Sequence, residues 1–356
     1  MKRIETPIIQ ITQPIGDFYL GKVDASKLKD SVIIKRKRET SSGIQRDLNN
    51  ERLREIKEYC SDPDATFPTS IILSIDTNRS GVSCEIKDDI LRLDFEDYFG
   101  SVIDGQHRLE GILMSDNADL FELPIVFMLN PTVEDEAYVF SIINSTQRKV
   151  DPSLIYDLFD VMPSRSPKKT VHDIARAFNG RYDSPFYNRL KMLGKKTADQ
   201  TDATLSQGTF AKRILKLITN NADEDARRIK RGEKLIPDEK LIFREFFIAD
   251  EDDIIMKILL NCFNALRKVF DVEWKKPRNN ILWKTTGFNA VIDSLPTIYS
   301  YGVKNKDLTE NLFEEVFRKF KEEISDRQLS LTSQHFGSGE SETKRLKEQI
   351  CSVVEL

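Results

Sequence analysis

Over the first 130 residues the apolar positions come in short runs broken by Gly, Pro and Asp, and beyond Pro131 they recur every three or four residues. The first spacing is that of strands and the second that of helices. Residues 8–13 and 17–23 predict two short strands split by Pro14 and Gly16, residues 31–34 predict a third, and a meander fits this opening. Asp47, Asn49 and Asn50 offer caps for a helix that carries Leu53 and Ile56 and stops at Ser61-Asp62-Pro63. Residues 68–75 and 123–129 lack polar alternation and predict buried strands, whereas 88–95 alternate and suit a more exposed hairpin strand. Between them, an apolar strand ends at Asp104-Gly105 and a helix opens at once with Leu109, Ile112 and Leu113 at helical spacing.

Thr132 to Glu136 is a capped helix start continued by Ala137, Phe140, Ser141 and Asn144, and Asp151-Pro152 begins another helix bearing Leu154, Ile155, Leu158 and Phe159. Further helices are predicted at about 167–178, 206–219, 238–247, 252–270, 288–301, 311–324 and 341–354, with 223–232 a charged surface loop or exposed helix. The whole reads as an α+β protein: a mixed sheet with helices over residues 1–150, then an all-α domain over residues 151–356.

The 356 residues favour two domains, and a composition of 39% hydrophobic and 31% charged residues is that of a globular protein. No apolar run approaches the roughly 20 residues of a membrane span, and Met1-Lys2-Arg3-Ile4-Glu5 lacks the apolar core of a signal peptide, so a cytoplasmic protein is expected. Cys60, Cys84, Cys262 and Cys351 form no Cys-x-x-Cys pair, which argues against a zinc ribbon or redox dithiol and for reduced, mostly buried thiols. His107, His172 and His335 are equally scattered, so no histidine metal site is signalled. A net charge of −4 gives the surface as a whole no attraction for nucleic acid. Contact with DNA would rest on local runs: Lys35-Arg36-Lys37-Arg38, Lys168-Lys169, Lys195-Lys196 and Arg227-Arg228-Ile229-Lys230-Arg231. Solvated faces are the commoner use of such runs, and only clustering in space distinguishes the two.

The chemistry concentrates at Asp104-Gly105-Gln106-His107-Arg108. A strand-to-helix turn aims free backbone N–H groups and a positive dipole end at whatever binds there, with Arg108 as a bidentate clamp and His107 as donor or proton carrier for a phosphate. The structural alternative is a tight Asp-Gly turn with Arg108 paired to a carboxylate. Gln45-Arg46, in a loop ahead of a helix, supplies a second clamp on a polyphosphate or DNA backbone if the fold brings it near. Asn144, Thr146, Gln147 and Arg148 are donors suited to phosphate, ribose or base edges, in a stretch that equally suits a solvated connection. Trp283 to Asn289 lacks P-loop spacing and reads as a helix start, and His335 to Ser341 as a Gly-Ser turn.

The run Val102-Ile103-Asp104-Gly105-Gln106-His107-Arg108-Leu109 resembles the signature of DGQHR-domain proteins, the DndB-like proteins found with bacterial DNA-modification loci. Residues 142–150, followed by Ser153-Leu154-Ile155-Tyr156-Asp157-Leu158, resemble the family's second block, and with Ser184-Pro185-Phe186-Tyr187 the similarity covers most of residues 40–215. DGQHR domains are similar to the ParB and sulfiredoxin superfamily, which implies a ParB/sulfiredoxin-like N-terminal domain. Gln45-Arg46 resembles its first box, and Asp104 to Arg108 varies its phosphate-binding Gly-Glu-Arg-Arg box. Sulfiredoxin's catalytic cysteine has no counterpart, because no Cys lies beside the motif.

The resemblance implies a DNA-associated component of a bacterial DNA-modification or restriction system that acts against phage and is linked to phosphorothioation or 7-deazaguanine insertion. On this pattern a nucleoside triphosphate, ATP or CTP, is held by Gln45, Arg46, Gly105, Gln106, Arg108, Asn144, Thr146, Gln147 and Arg148. Asp104 and His107 would serve hydrolysis, with Asp104 as a ligand to Mg²⁺, and Lys35, Arg36, Lys37 and Arg38 would meet DNA. DNA, other DNA-modification proteins and further copies of the chain are the implied partners. The alternative is a DNA-binding transcriptional regulator of a modification operon without catalysis.

Overall fold

The structure, a computed structural model, describes residues 1–34, 49–146, 152–153, 165–198, 200, 202–276 and 280–354, with the backbone alone at 144–146. It divides into two compact units, Met1–Arg148 and Lys149–Leu356.

The N-terminal unit is built on strands β1 (Lys2–Pro7), β2 (Ile9–Gln13), β3 (Gly16–Asp24), β4 (Val32–Ile33), β5 (Ile71–Ile75), β6 (Val82–Lys87), β7 (Ile90–Phe95), β8 (Gly100–Asp104) and β9 (Glu122–Leu129). It also contains helices α1 (Asn50–Tyr59), α2 (Gln106–Leu113) and α3 (Val133–Thr146). A six-stranded sheet has the order β2-β3-β9-β5-β8-β4 and a second sheet the order β1-β7-β6. The large sheet is mixed: β5 runs parallel to β9 and β4 parallel to β8, while β3–β9 and β5–β8 are antiparallel. Its central strands carry Ile71, Leu73, Ile75, Val102, Ile125 and Phe127, all buried, and Leu109 and Ile112 of α2 join the same core. Apolar residues at nearly every position are what a strand covered on both faces requires.

The expected meander is corrected. β2 and β3 form the predicted hairpin, but β4 pairs with β8, and β1 pairs with β7 some 90 positions along the chain. Pairing between distant segments leaves no local trace, so adjacency in sequence is the wrong guide there. The partner of the predicted 88–95 strand is β6, whose alternating Val82, Cys84 and Ile86 are diluted by charged neighbours. Asp88 and Asp89 make the connecting two-residue turn with φ of 51° and 58°, the mirror-image turn geometry that matches strand twist.

The second unit contains α4 (Pro167–Gly180), α5 (Gln207–Leu215), α6 (Ala222–Lys230), α7 (Arg244–Ile248), α8 (Asp252–Val269), α9 (Asp271–Trp274), α10 (Thr285–Asn305), α11 (Glu310–Asp326) and α12 (Glu340–Ser352). One parallel bridge of two residues per strand, Leu190–Lys191 with Leu205–Ser206, interrupts the all-α expectation. The predicted helix after Asp151 lies outside the described residues except for Pro152 and Ser153. The core is aromatic: Phe210, Phe263 and Phe288 stack, with centroids 5.2 and 5.7 Å apart, and Phe186 meets Phe263 edge-on at 4.9 Å. Such pairs add about 0.5–1.5 kcal/mol each beyond area burial. No described helix is long and apolar enough to cross a membrane. The four cysteines are free thiols, Cys60 and Cys262 buried, and burial pushes the Cys84 thiol up to about 11.

The charged stretch 223–232 is a helix with a buried side. Arg244 reaches Asp225 with both Nη atoms, Nη2 at 3.0 Å, donates from Nε to the Ile236 carbonyl at 2.8 Å, and Thr219 Oγ1 donates to Asp225 at 2.5 Å. Both charges are buried, so the pair holds only while complete. Asp225→Ala is expected to cost about 3–5 kcal/mol in chemical denaturation, and adding Arg244→Met to it should recover a large part of that loss.

Candidate functional site

β8 delivers the chain to Asp104, and Gly105 then turns it into α2 with φ +94° and ψ 13°, the left-handed region. A Cβ there would lie 3.0 Å from Ile71 Cγ1 and 3.2 Å from Arg108 Nη2, so both the backbone and the space require glycine. As the residue before the helix, Gly105 has no side chain with which to cap it, and the first turn contains no acidic residue. The N–H groups of Gln106, His107 and Arg108 therefore carry the positive end of the helix dipole without a side-chain acceptor. Gln106, the first residue of α2, is 8% exposed.

Arg108 does not point outward as a loose clamp. Its Nη1 donates to the Thr69 carbonyl at 2.6 Å and to Thr69 Oγ1, and its Nη2 donates to the Ser70 carbonyl at 3.0 Å and to Asp104 Oδ2 at 3.2 Å. The Arg108 side chain keeps 22% of its surface in solvent and that of Asp104 19%. The carboxylate-paired arrangement of Arg108 is thus the one adopted, with the added task of tying the approach to β5 onto the start of α2. Thr69 and Ser70 were not singled out from the sequence, since carbonyl acceptors leave no signature in residue type.

His107 serves a second helix. Its Nε2 accepts from the Asn49 N–H at 3.1 Å, and Asn49 caps α1 by accepting from Glu51 N at 2.9 Å and Arg52 N at 3.3 Å through Oδ1. An accepting Nε2 assigns the ring proton to Nδ1. Gly111 permits this closeness, because a Cβ at that position would fall 2.6 Å from the Ile56 side chain of α1. The starts of α1 and α2 consequently adjoin, and their dipoles reinforce each other for an anion. Burial first, then the Arg52 charge, hold the His107 ring below the ordinary histidine range, partly offset by Asp104.

Behind the turn, Ser101 Oγ and Ser74 Oγ lie 2.9 Å apart, Ser101 N donates to Ser74 Oγ at 3.1 Å, and Ser101 Oγ donates to buried Glu136 of α3 at 3.4 Å. This polar seam fixes β8 against β5 and α3. Asn144 and Thr146 close α3 in backbone, while Gln45, Arg46, Gln147, Arg148 and the Lys35-Arg36-Lys37-Arg38 run lie outside the described residues. Among the other basic runs, Lys168 pairs with Asp223 at 2.5 Å, and Arg227, Arg228 and Arg231 pair with Glu224 or Glu233. Those charges are internally balanced. Among the described residues no three His, Cys, Asp or Glu side chains gather in a way that could hold a metal.

The His107–Asn49 bond predicts that the start of α1 responds to acid. A histidine held low in the fold contributes stability that is fully present above its unfolded value of about 6.5 and is lost as the pH falls through the folded value. Amide exchange at Asn49, Glu51 and Arg52, corrected for intrinsic rates, should therefore accelerate between pH 7 and about pH 5. His107→Gln, which keeps a neutral acceptor, should flatten this profile; an unchanged profile would show that the ring does not control the cap.

No curated protein and no solved structure matches the chain. The profile of the DndB family, described as DNA-sulfur modification-associated, matches residues 6–233. That span takes in β2 to α6, with the Gly105 turn, the Arg108 brace and the His107-capped helix inside it, and on this evidence the chain belongs to the DndB family of proteins associated with the sulfur modification of DNA.

Proposed function

We propose that the start of α2 binds the phosphates of a nucleoside triphosphate, ATP or CTP, within a DNA-associated component of a phosphorothioate-type modification system. The observation that carries this reading is the uncapped first turn below Gly105. Three N–H donors sit at the adjoining positive ends of two helices with Gln106 on the first turn, a donor set that a phosphate would satisfy. Arg108 and Asp104 act as the frame. Arg108 keeps the turn in place and lends its charge, and Asp104 compensates that charge.

Binding without turnover is the form that the hydrogen bonding favours. Asp104 is committed to Arg108 and His107 Nε2 to Asn49, so neither is available as a general base without breaking a bond that holds the fold. Mg²⁺ fits only as a companion of the phosphates, with Asp104 as the carboxylate nearest the turn. Membership in a DNA-sulfur modification family supports DNA and other modification proteins as partners, and a ligand-sensing regulator of the modification genes is consistent with binding alone.

Isothermal calorimetry of the full chain with ATP, CTP and GTP tests the reading. Wild-type protein is expected to bind at least one of them. Gln106→Ala should weaken that binding by roughly ten- to a hundredfold, the weight of one hydrogen bond to a charged group, at an unchanged melting temperature. Arg108→Ala should lose affinity and stability together. Absence of heat with all three nucleotides would sink the proposal.

A further inference from the structure

The stretch 181–196, between α4 and the Leu205–Ser206 strand, combines an excess of cations with exposed aromatic rings. It holds Arg181, Arg189, Lys191, Lys195 and Lys196 against the single acid Asp183, in a chain whose net charge is −4. It also displays aromatic rings: Tyr182 is 87% exposed and Tyr187 45% exposed, with centroids 5.5 Å apart and planes at 64°. Tyrosine usually keeps its ring against protein and only its hydroxyl in water. Two neighbouring rings left open on one turn are a surface feature that folding alone does not account for.

The turn that carries them is rigid. Phe186, one residue before Tyr187, is driven into the aromatic core, 4.9 Å from Phe263, 5.7 Å from Trp283 and 5.9 Å from Trp274. Asn179 at the end of α4 clamps the other side, its carbonyl accepting from Asn188 N and its Oδ1 from Leu190 N, each at 2.8 Å. Rings on an anchored turn lose little freedom on binding.

The charge is only partly neutralised. Arg181 forks onto Asp183 at 2.8 and 3.1 Å, while Arg189 lies 4.4 Å over the Trp283 ring with its buried Nη1 lacking a hydrogen-bond partner. Arg267 of α8 stands close enough to oppose the Arg189 charge, with Asp202 as the opposite influence.

Open rings flanked by cations suit a polyanion that has flat, unpaired faces to stack. Duplex DNA hides its base faces and offers such rings nothing, whereas single-stranded DNA exposes both bases and phosphates. We propose that the surface of residues 181–196 binds single-stranded DNA, stacking unpaired bases on Tyr182 and Tyr187 and meeting phosphates with Arg181, Lys191 and Lys195. This inference rests on the DNA association within the proposed function and is independent of nucleotide binding at α2.

Fluorescence anisotropy with a labelled dT₂₀ strand, the matching DNA duplex and a U₂₀ RNA tests it on the full chain at two salt concentrations. Wild-type protein is expected to prefer the single DNA strand. Tyr182→Ala and Tyr187→Ala should each weaken binding roughly five- to a hundredfold with the salt slope unchanged. Tyr182→Phe with Tyr187→Phe should restore it, and Lys191→Ala or Lys195→Ala should lower the slope by ~0.7 each. Single-strand binding that survives the double Tyr→Ala substitution, equal affinity for the duplex, or tighter binding of the RNA overturns the proposal. Intact dT₂₀ binding in protein that gives no heat with nucleotides would sink the nucleotide reading alone, and the reverse pattern would sink this one alone.

Discussion

Arg108 donates at once to Thr69, Ser70 and Asp104, and this set of bonds joins the approach to β5, the end of β8 and the first turn of α2 at one corner. Gly105 makes the corner possible, since its left-handed backbone swings α2 back over the sheet and leaves no Cβ between Ile71 and the guanidinium. The consequence is a helix start whose N–H groups are presented but not capped. A Ser or Asp in place of Gly105 would satisfy those groups from within, at the cost of backbone strain and of the space the guanidinium occupies.

The same corner sets the position of α1. His107 points from α2 to the backbone of Asn49, and Gly111 lets Ile56 pack against the α2 axis, so the two helices begin side by side. Residues that read as catalytic from their types thus act first as architecture. A phosphate at this place would meet donors already fixed by the fold, which lowers the ordering cost of binding.

In the second unit, charge is handled in two ways. Arg244–Asp225 is an enclosed pair, and buried Arg213 reaches out to Asp293 and to exposed Glu340, so each cation has its carboxylate. The basic run of α6 is likewise balanced by Glu224 and Glu233. The turn around Tyr182 and Tyr187 has the opposite character, with cations outnumbering acids and aromatic rings turned outward from a rigid aromatic core. For the basic run of α6 the neutralising acids are local, Glu224 and Glu233, whereas Arg213 and Arg244 find theirs on other elements.

The sequence by itself determined the order and type of most elements, since a period of two or of three to four in apolar residues follows directly from which face each strand or helix buries. It also determined the importance of Asp104 to Arg108, because strand, Asp-Gly and helix follow one another within a few residues and the geometry is local. Tertiary structure alone decided what those side chains do. Arg108 was legible as a cation at a helix start, but its commitment to the Thr69 and Ser70 carbonyls depends on backbone groups nearly 40 positions away, and the tie from His107 to Asn49 spans 58. The pairing of β1 with β7 and of β4 with β8, and the burial of Arg227 and Asp225 in a stretch that reads as solvated, have the same cause. Each is a contact between segments distant in the chain, and residue type and spacing carry no record of which partner a segment meets.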